Sequence, residues 1–382
     1  MRGICWAALM AGCFVLPVSF EASDIVHPVS STCEGAEEGL AANVDQSRAK
    51  AIEFLKTSQM KDGSWTTPRT SGITALVVYA LIDAGVPVTD PVVAKGLQRI
   101  AGYAQPTGEI AAPGSPHASY ETSVSVMALV AGNAEGQFTE IIKKAEQYLR
   151  GAQYSEANNT DKADIAYGGA GYKAGGGKPD LSNTVFFLDA LKATGATEQD
   201  PAVQKALVFL SRCQNLESEH NTTPQAAKIN DGGFYYNPNG PGVSPAGQSD
   251  EGGLRSYGSM TYAGFKSMLY AGLKADDPRV KAALDWISKN YTLEENPGLG
   301  AGGLYYYYYL FAKAMEANGV NEFTDAKGAK HNWRNELALQ LIALQKANGN
   351  WLNDRSSRWM EGDPNLATAY ALVALNRCVG RK

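Results

Sequence analysis

Long apolar runs are scarce in this 382-residue chain. Beyond the first twenty residues no stretch of about 18 uninterrupted apolar residues occurs, which excludes a spanning helix in the body of the chain. Basic charge is also in short supply. The 34 Lys and Arg are outnumbered by 39 Asp and Glu, for a formal charge of −5. No cationic excess is left to hold phosphates, so nucleic acid is not an expected partner. Histidine is rare too: His27 lies in the N-terminal tail, His117 and His220 in expected turns, and His331 at an expected helix start. No pair has metal-ligand spacing, so neither a metal site nor a cofactor is expected. A nucleophile elbow, a phosphate loop and a dinucleotide fingerprint are missing as well. Gly168-Gly169-Ala170-Gly171 and Gly175-Gly176-Gly177 lack the flanking strand and helix those motifs need.

The one apolar run of note is at the start. Arg2 precedes an apolar stretch from Ile4 to Val18, followed by small residues around Ser19 and Ala22, the layout of a signal peptide over 1–22. A tail over 23–46 and export to a periplasmic or extracellular compartment are expected. The alternative is a lipid anchor at Cys13, through the lipobox-like Met10-Ala11-Gly12-Cys13, although the apolar run continues past it. Removal of 1–22 deletes Arg2 and Glu21 together and leaves the net charge unchanged. Cys5 and Cys13 go with the signal, so Cys33, Cys213 and Cys378 remain, and a monomer, the expected state, must leave one unpaired.

The rest of the chain repeats one unit: an amphipathic helix, a Gln, a Gly-rich turn, and a nearly all-apolar helix ending at Gly. First helices are expected over Ser47–Gln59, Pro91–Gln105, Thr139–Gln153, Pro201–Gln214, Pro278–Asn290 and His331–Gln345. Second helices are expected over Gly72–Asp83, Thr122–Val130, Ser182–Thr194, Met260–Tyr270, Tyr305–Ala317 and Leu366–Asn376. Asp90-Pro91, Asp200-Pro201 and Asp277-Pro278 mark three starts, because Asp accepts from unpaired N–H groups and Pro has none to waste. Gly85, Gly132, Gly195, Gly272 and Gly319 mark five stops. Segments such as Ile73–Leu81 have almost no polar face, whereas Glu53, Lys56, Lys143, Lys144 and Glu146 line one side of the first helices. One set of helices is therefore buried and the other half-exposed. An open solenoid would need a polar terminal repeat, yet Leu366–Leu375 is as apolar as the internal helices. The expected fold is all-α: a closed (α/α)6 toroid over 47–382, with long loops at 154–181 and 215–257. Closure would bring Cys378, at the end of the last inner helix, near the start of the first outer helix, where Cys33 can clamp it.

The turns Gln59-Met60-Lys61-Asp62-Gly63-Ser64-Trp65 and Gln345-Lys346-Ala347-Asn348-Gly349-Asn350-Trp351 resemble the QW repeats of squalene-hopene cyclases and protein prenyltransferase β subunits. Degenerate copies fill the gaps, so the resemblance covers nearly the whole chain after the signal. In that superfamily the Gln caps a helix end and the Trp packs over the neighbouring repeat, so Gln59, Gly63, Trp65, Gln345, Gly349 and Trp351 report stability.

The chemical signatures of the superfamily are missing here. At the place of the Asp-rich acid tetrad stands Ala118-Ser119-Tyr120-Glu121-Thr122-Ser123, and the prenyltransferase zinc ligands are replaced by Tyr257-Gly258-Ser259-Met260 and a tyrosine run. Asp276-Asp277 belongs to a helix cap rather than a magnesium cluster. Cys213, in Arg212-Cys213-Gln214-Asn215, does not match the thioester motif of complement-like toroids and reads as a packed residue.

Every unit runs helix, turn, helix, so all turns and all inner-helix starts share one rim, and a site belongs there. The candidate acids are Glu121, Asp180 and Asp363; the candidate ligand-binding groups are Tyr120, Asn183, Tyr257, Tyr262, Arg358 and Trp359. Each acid also reads as a first-turn or capping residue. One or two of Tyr305–Tyr309 should face the ring interior, since successive residues turn by 100°. Three functions fit. One is a non-cyclase protein holding a small molecule, a glycan or a protein ligand at the ring mouth. The second is a divergent terpenoid cyclase using Glu121 or Asp363. The third is a polysaccharide-acting enzyme pairing Asp180 with Asp363.

Overall fold

The computed structural model describes residues 30–239 and 243–379, with side chains from residue 39 onward. The expected signal peptide, its cleavage after Ala22 and the lipobox lie outside the described residues, as does the Cys33 side chain and hence its pairing with Cys378. The chain divides into a unit Met1–Gly39 and a unit Leu40–Lys382. Of the first, residues 30–39 form helix.

The helices come in pairs: α1 (Ser30–Thr57) with α2 (Gly72–Asp83), α3 (Pro91–Ala101) with α4 (Ala118–Ala131), and α5 (Thr139–Ala152) with α6 (Leu181–Ala193). Next come α7 (Pro201–Arg212), a four-residue α8 (Ala226–Ile229) in the long turn, and α9 (Gly258–Tyr270). The last two pairs are α10 (Pro278–Asn290) with α11 (Leu304–Asn318), and α12 (Trp333–Leu344) with α13 (Pro364–Cys378). Strands β1 (Glu322–Thr324) and β2 (Lys330–Asn332) form a small antiparallel hairpin before α12.

Several boundaries differ from expectation by up to four residues, such as the start of α4 at Ala118 rather than Thr122, and the starts of the first and last outer helices differ for physical reasons. Helix α1 begins at Ser30 rather than Ser47, because Glu34–Ala42 is rich in Ala and Glu, strong helix formers that carry no apolar period to reveal them. His331 lies in β2, and α12 starts after Asn332, whose side chain accepts from Asn335 N.

The inner helices pack in the cyclic order α2, α4, α6, α9, α11, α13 and back to α2, which closes the ring. Each of these helices is buried almost all round, while the outer helices bury one stripe; α3, for example, buries Val93, Gly96, Leu97 and Ile100. The Asp-Pro starts work as caps: Asp90, Asp200 and Asp277 accept from the backbone N of Val92, Ala202 and Arg279.

The Gln turns stitch consecutive repeats. The Nε2 groups of Gln59, Gln153 and Gln214 donate to Val92 O, Ala202 O and Arg279 O, each in the first turn of the next outer helix. Gln345 makes the same bond to Ser47 O, 298 residues away, so the last repeat is sewn to the first. The turn glycine permits this approach. At Gly168 (φ +86°) a Cβ would lie 1.8 Å from Lys205 O, and at Gly349 (φ +89°) 2.4 Å from Lys50 O. Trp65 and Trp351 are fully buried and donate to Leu55 O and Leu341 O, ten residues upstream in both cases.

Candidate functional site

At the rim where the inner helices begin, Asp180 caps α6. One carboxylate oxygen accepts from Asn183 N at 2.9 Å and the other from Asn183 Nδ2 at 2.6 Å. The Asp180 carboxyl is buried, and this burial outweighs the hydrogen bonds it accepts and pushes its pKa up to about 6. Asn183 Oδ1 is buried and finds no partner among the described residues. Tyr172 lies within electrostatic reach of Asp180 and is 40% exposed, so this group opens to solvent. Tyr257 is buried within electrostatic reach of Asp180, Arg358 and Tyr172.

The Arg358 turn is unusual. Trp359 (φ 55°) and Met360 (φ 65°) are adjacent non-glycine residues in the left-handed region, a conformation costing about 1–3 kcal/mol per residue. The Trp359 ring lies across Gly302 and Gly303, where a Cβ at Gly303 would come within 3.0 Å of it, and the Arg358 guanidinium sits 4.2 Å from its centroid. Both Trp359 and Met360 remain exposed. The strain therefore holds a rigid aromatic at the rim.

The other two candidate acids are engaged in capping. Glu121, buried on α4, accepts from Ser71 N at 3.0 Å and Ser71 Oγ at 3.3 Å with one oxygen, and from Ser115 Oγ at 2.5 Å with the other. It caps α2 from the neighbouring repeat. Asp363 accepts from Asn365 N and Leu366 N and caps its own helix, α13. Asp180 and Asp363 stand on helices three places apart in a ring of six, hence opposite. With 8–10 Å between neighbouring axes, those two axes are about 16–20 Å apart. Each carboxylate turns onto its own helix start, so the arrangement lends no support to a paired-carboxylate mechanism.

A further acid, Glu361, escaped the sequence reading because it sits in a turn with charges of both signs. Its side chain is buried, accepts from Tyr306 N at 2.8 Å and Asn353 Nδ2 at 2.7 Å, and burial pushes its pKa up to about 7. Glu361 does for α11 what Glu121 does for α2: a carboxylate from the following repeat caps an inner helix. The available signal was this shared position, just before or within the first turn of the next inner helix.

Below the rim the ring axis is filled. Of the five consecutive tyrosines, Tyr306 and Tyr309 face inward and stack on Phe186 of α6, with Tyr370 of α13 tilted against both. Tyr120 meets Phe186 edge-on. Ser182 Oγ and Tyr306 OH are 2.8 Å apart, linking α6 to α11 past the intervening α9. Deeper still, Asp189 of α6 binds Lys266 at 2.6 Å and Lys313 at 2.7 Å, and Lys313 also donates to Tyr309 OH. Burial pulls the Lys266 ammonium down to about 7, against the attraction of Asp189. Tyr120, Tyr306 and Ser182, each partly exposed, thus lie at the ring mouth above a plug of stacked rings and buried charge.

Tyr262 does not join this group. It packs on Tyr307 and Phe311, which in turn meets Trp333 of the outer ring, so its ring lies between the two layers. Cys213 is a free thiol, fully buried, and burial raises its pKa well above the ordinary value, as suits a packed residue rather than a nucleophile.

No known family's sequence profile and no curated protein matches this sequence. The fold is similar to two solved apo structures of the type II terpene cyclase MstE from Scytonema. One, of a single-substitution variant, is 15% identical, with 89% of this chain and 98% of that chain covered and a TM-score of 0.51. The other is 14% identical, with coverages of 88% and 97% and a TM-score of 0.50. A closed ring of six inner and six outer helices, matched over nearly the whole length of those enzymes, gives this chain the terpenoid-cyclase-like α/α-toroid fold.

Proposed function

We propose that this is an exported toroid that binds a hydroxyl-rich ligand, of the glycan class, at the ring mouth. The observation that carries the reading is the filled axis. Phe186, Tyr309 and Tyr370, with the Lys266–Asp189–Lys313 group beneath them, occupy the space an enclosed hydrocarbon chain would need. The groups at the rim are polar and aromatic: exposed Tyr172 and Trp359, with Asp180 and the unpartnered oxygen of Asn183 buried among the inner-helix starts. Flat rings stack on sugar faces, and buried carboxyl, amide and phenol groups fix hydroxyls.

The test is a thermal-shift screen against oligosaccharides, cell-wall fragments and isoprenoids. Oligosaccharides or cell-wall glycans are expected to raise the melting temperature. Tyr172→Ala and Trp359→Ala should each weaken that binding about 5–10-fold, the loss of one aromatic contact worth about 1–1.5 kcal/mol. A shift produced by isoprenoids and not by glycans would overturn the reading.

A second reading rests on Asp180, a carboxyl whose pKa, raised to about 6, keeps it protonated in mildly acidic solution, where it can give up a proton. It requires isoprenoid turnover that Asp180→Asn abolishes.

A further inference from the structure

Helix α7 belongs to the outer ring, and Pro201, Gln204, Lys205, Val208 and Arg212 recur on one of its faces at helical spacing. On an outer helix such a face ordinarily meets solvent. Here the two long insertions wall it in, Glu156–Tyr167 on one side and Glu219–Thr223 on the other, and leave a cleft of about 880 Å³ over the helix. That volume falls within the usual range for small-molecule sites.

The charges in the cleft are unevenly matched. Lys205 is paired with Glu156 at 2.9 Å, and Glu156 also accepts from Tyr167 OH at 2.8 Å, so this carboxylate is spoken for. Arg212, 9% exposed, is tied instead to backbone: its guanidinium donates to Asp164 O at 2.5 Å, Lys162 O at 2.7 Å and His220 O at 3.3 Å. Among the described residues no carboxylate forms an ion pair with it. The nearby Asp164 carboxylate accepts from Ala166 N. Three carbonyl bonds leave two of the five guanidinium N–H groups for another acceptor. A nearly buried cation held by neutral carbonyls is stabilised by an anion that reaches it. Beside it, Val208 and Ile165 provide apolar wall.

We propose that this cleft is a second binding site, independent of the ring mouth, for a small amphipathic anion. A carboxylate or phosphate monoester lies on Arg212, and the apolar or aromatic body lies along Val208 and Ile165. The two insertions that build the cleft are held together through Arg212 itself, so the group that binds the anion also shapes the pocket.

Calorimetric titration with benzoate, phenyl phosphate and neutral benzyl alcohol tests this. At least one anion should bind with 1:1 stoichiometry and at least tenfold more tightly than the alcohol, and the tighter anion names the head group. Val208→Trp puts a large ring where the apolar body of the anion would lie while leaving the three carbonyl bonds of Arg212 in place, and it should abolish binding without lowering the melting temperature. Arg212→Gln should erase the preference for anions, and Tyr172→Ala, at the mouth, should leave binding unchanged. Equal binding of the alcohol, anion binding that survives Val208→Trp in a folded protein, or no binding of any probe would overturn the proposal.

Discussion

At the scale of single residues, the most telling groups are carboxyls whose protonation is set by burial. Asp180 and Glu361 have folded-state pKa values near 6 and 7, above their ordinary 3.8 and 4.5. The folded state therefore holds these protons more tightly than the unfolded chain. The stability they contribute is fully present below about pH 4 and is lost as the pH rises through 6 and 7. Melting temperature measured by circular dichroism should accordingly fall between pH 5 and pH 7.5. Asp180→Asn keeps a cap acceptor for Asn183 N and Glu361→Gln keeps one for Tyr306 N, and each should flatten part of that slope. An unchanged slope in both variants would mean that neither carboxyl takes up its proton near neutrality. The caps Asp90, Asp200 and Asp277 act in the opposite sense. Hydrogen bonds from Lys56, Arg150 and Arg279 hold them below the usual carboxylate range, so their contribution is lost only at acid pH.

At the scale of elements, the turn between paired helices is the unit that makes the repeat. Its Gln reaches the next outer helix, and its left-handed Gly lets the backbones touch. Gly168→Ala combines left-handed strain with a Cβ driven into Lys205 O, and should destabilise the protein by about 2–5 kcal/mol in urea unfolding. Gly175 offers the internal control. It is also left-handed (φ +62°) but has nothing within 4 Å of its added Cβ, so Gly175→Ala should cost only about 1–2 kcal/mol. Equal losses at the two positions would remove close approach as the reason for the turn glycine. The tyrosine run shows the same division between local and non-local information. Helical periodicity told that one or two rings turn inward; that these are Tyr306 and Tyr309 was decided by Phe186 and Tyr370 across the axis.

At the scale of the whole molecule, closure is made by α13 returning to α2. The seam is polar at its C-terminal end: buried Arg377 pairs with Asp83, Asn376 donates to the same carboxylate, and Arg48 donates to Asn376 and to Ala84 O. Asp83→Ala leaves the buried Arg377 guanidinium with Glu316 as its remaining carboxylate partner and should cost about 1–3 kcal/mol. In a closed ring that loss lowers the single midpoint seen by tryptophan fluorescence and circular dichroism alike, whereas an open array would fray first at its ends. Much of this architecture was legible in the amino-acid order. The six repeats, the Asp-Pro starts, the glycine stops and the apolar character of the last helix are all local patterns, and local patterns determine helices, their buried faces and the need for closure. What the tertiary structure alone decided lies between segments far apart in sequence. Glu121 caps Ser71 from 50 residues away, and Asp189 meets Lys266 and Lys313 at separations of 77 and 124. Helical periodicity states which way a side chain points. What it meets there depends on how far the ring contracts, and only the packed molecule determines that distance.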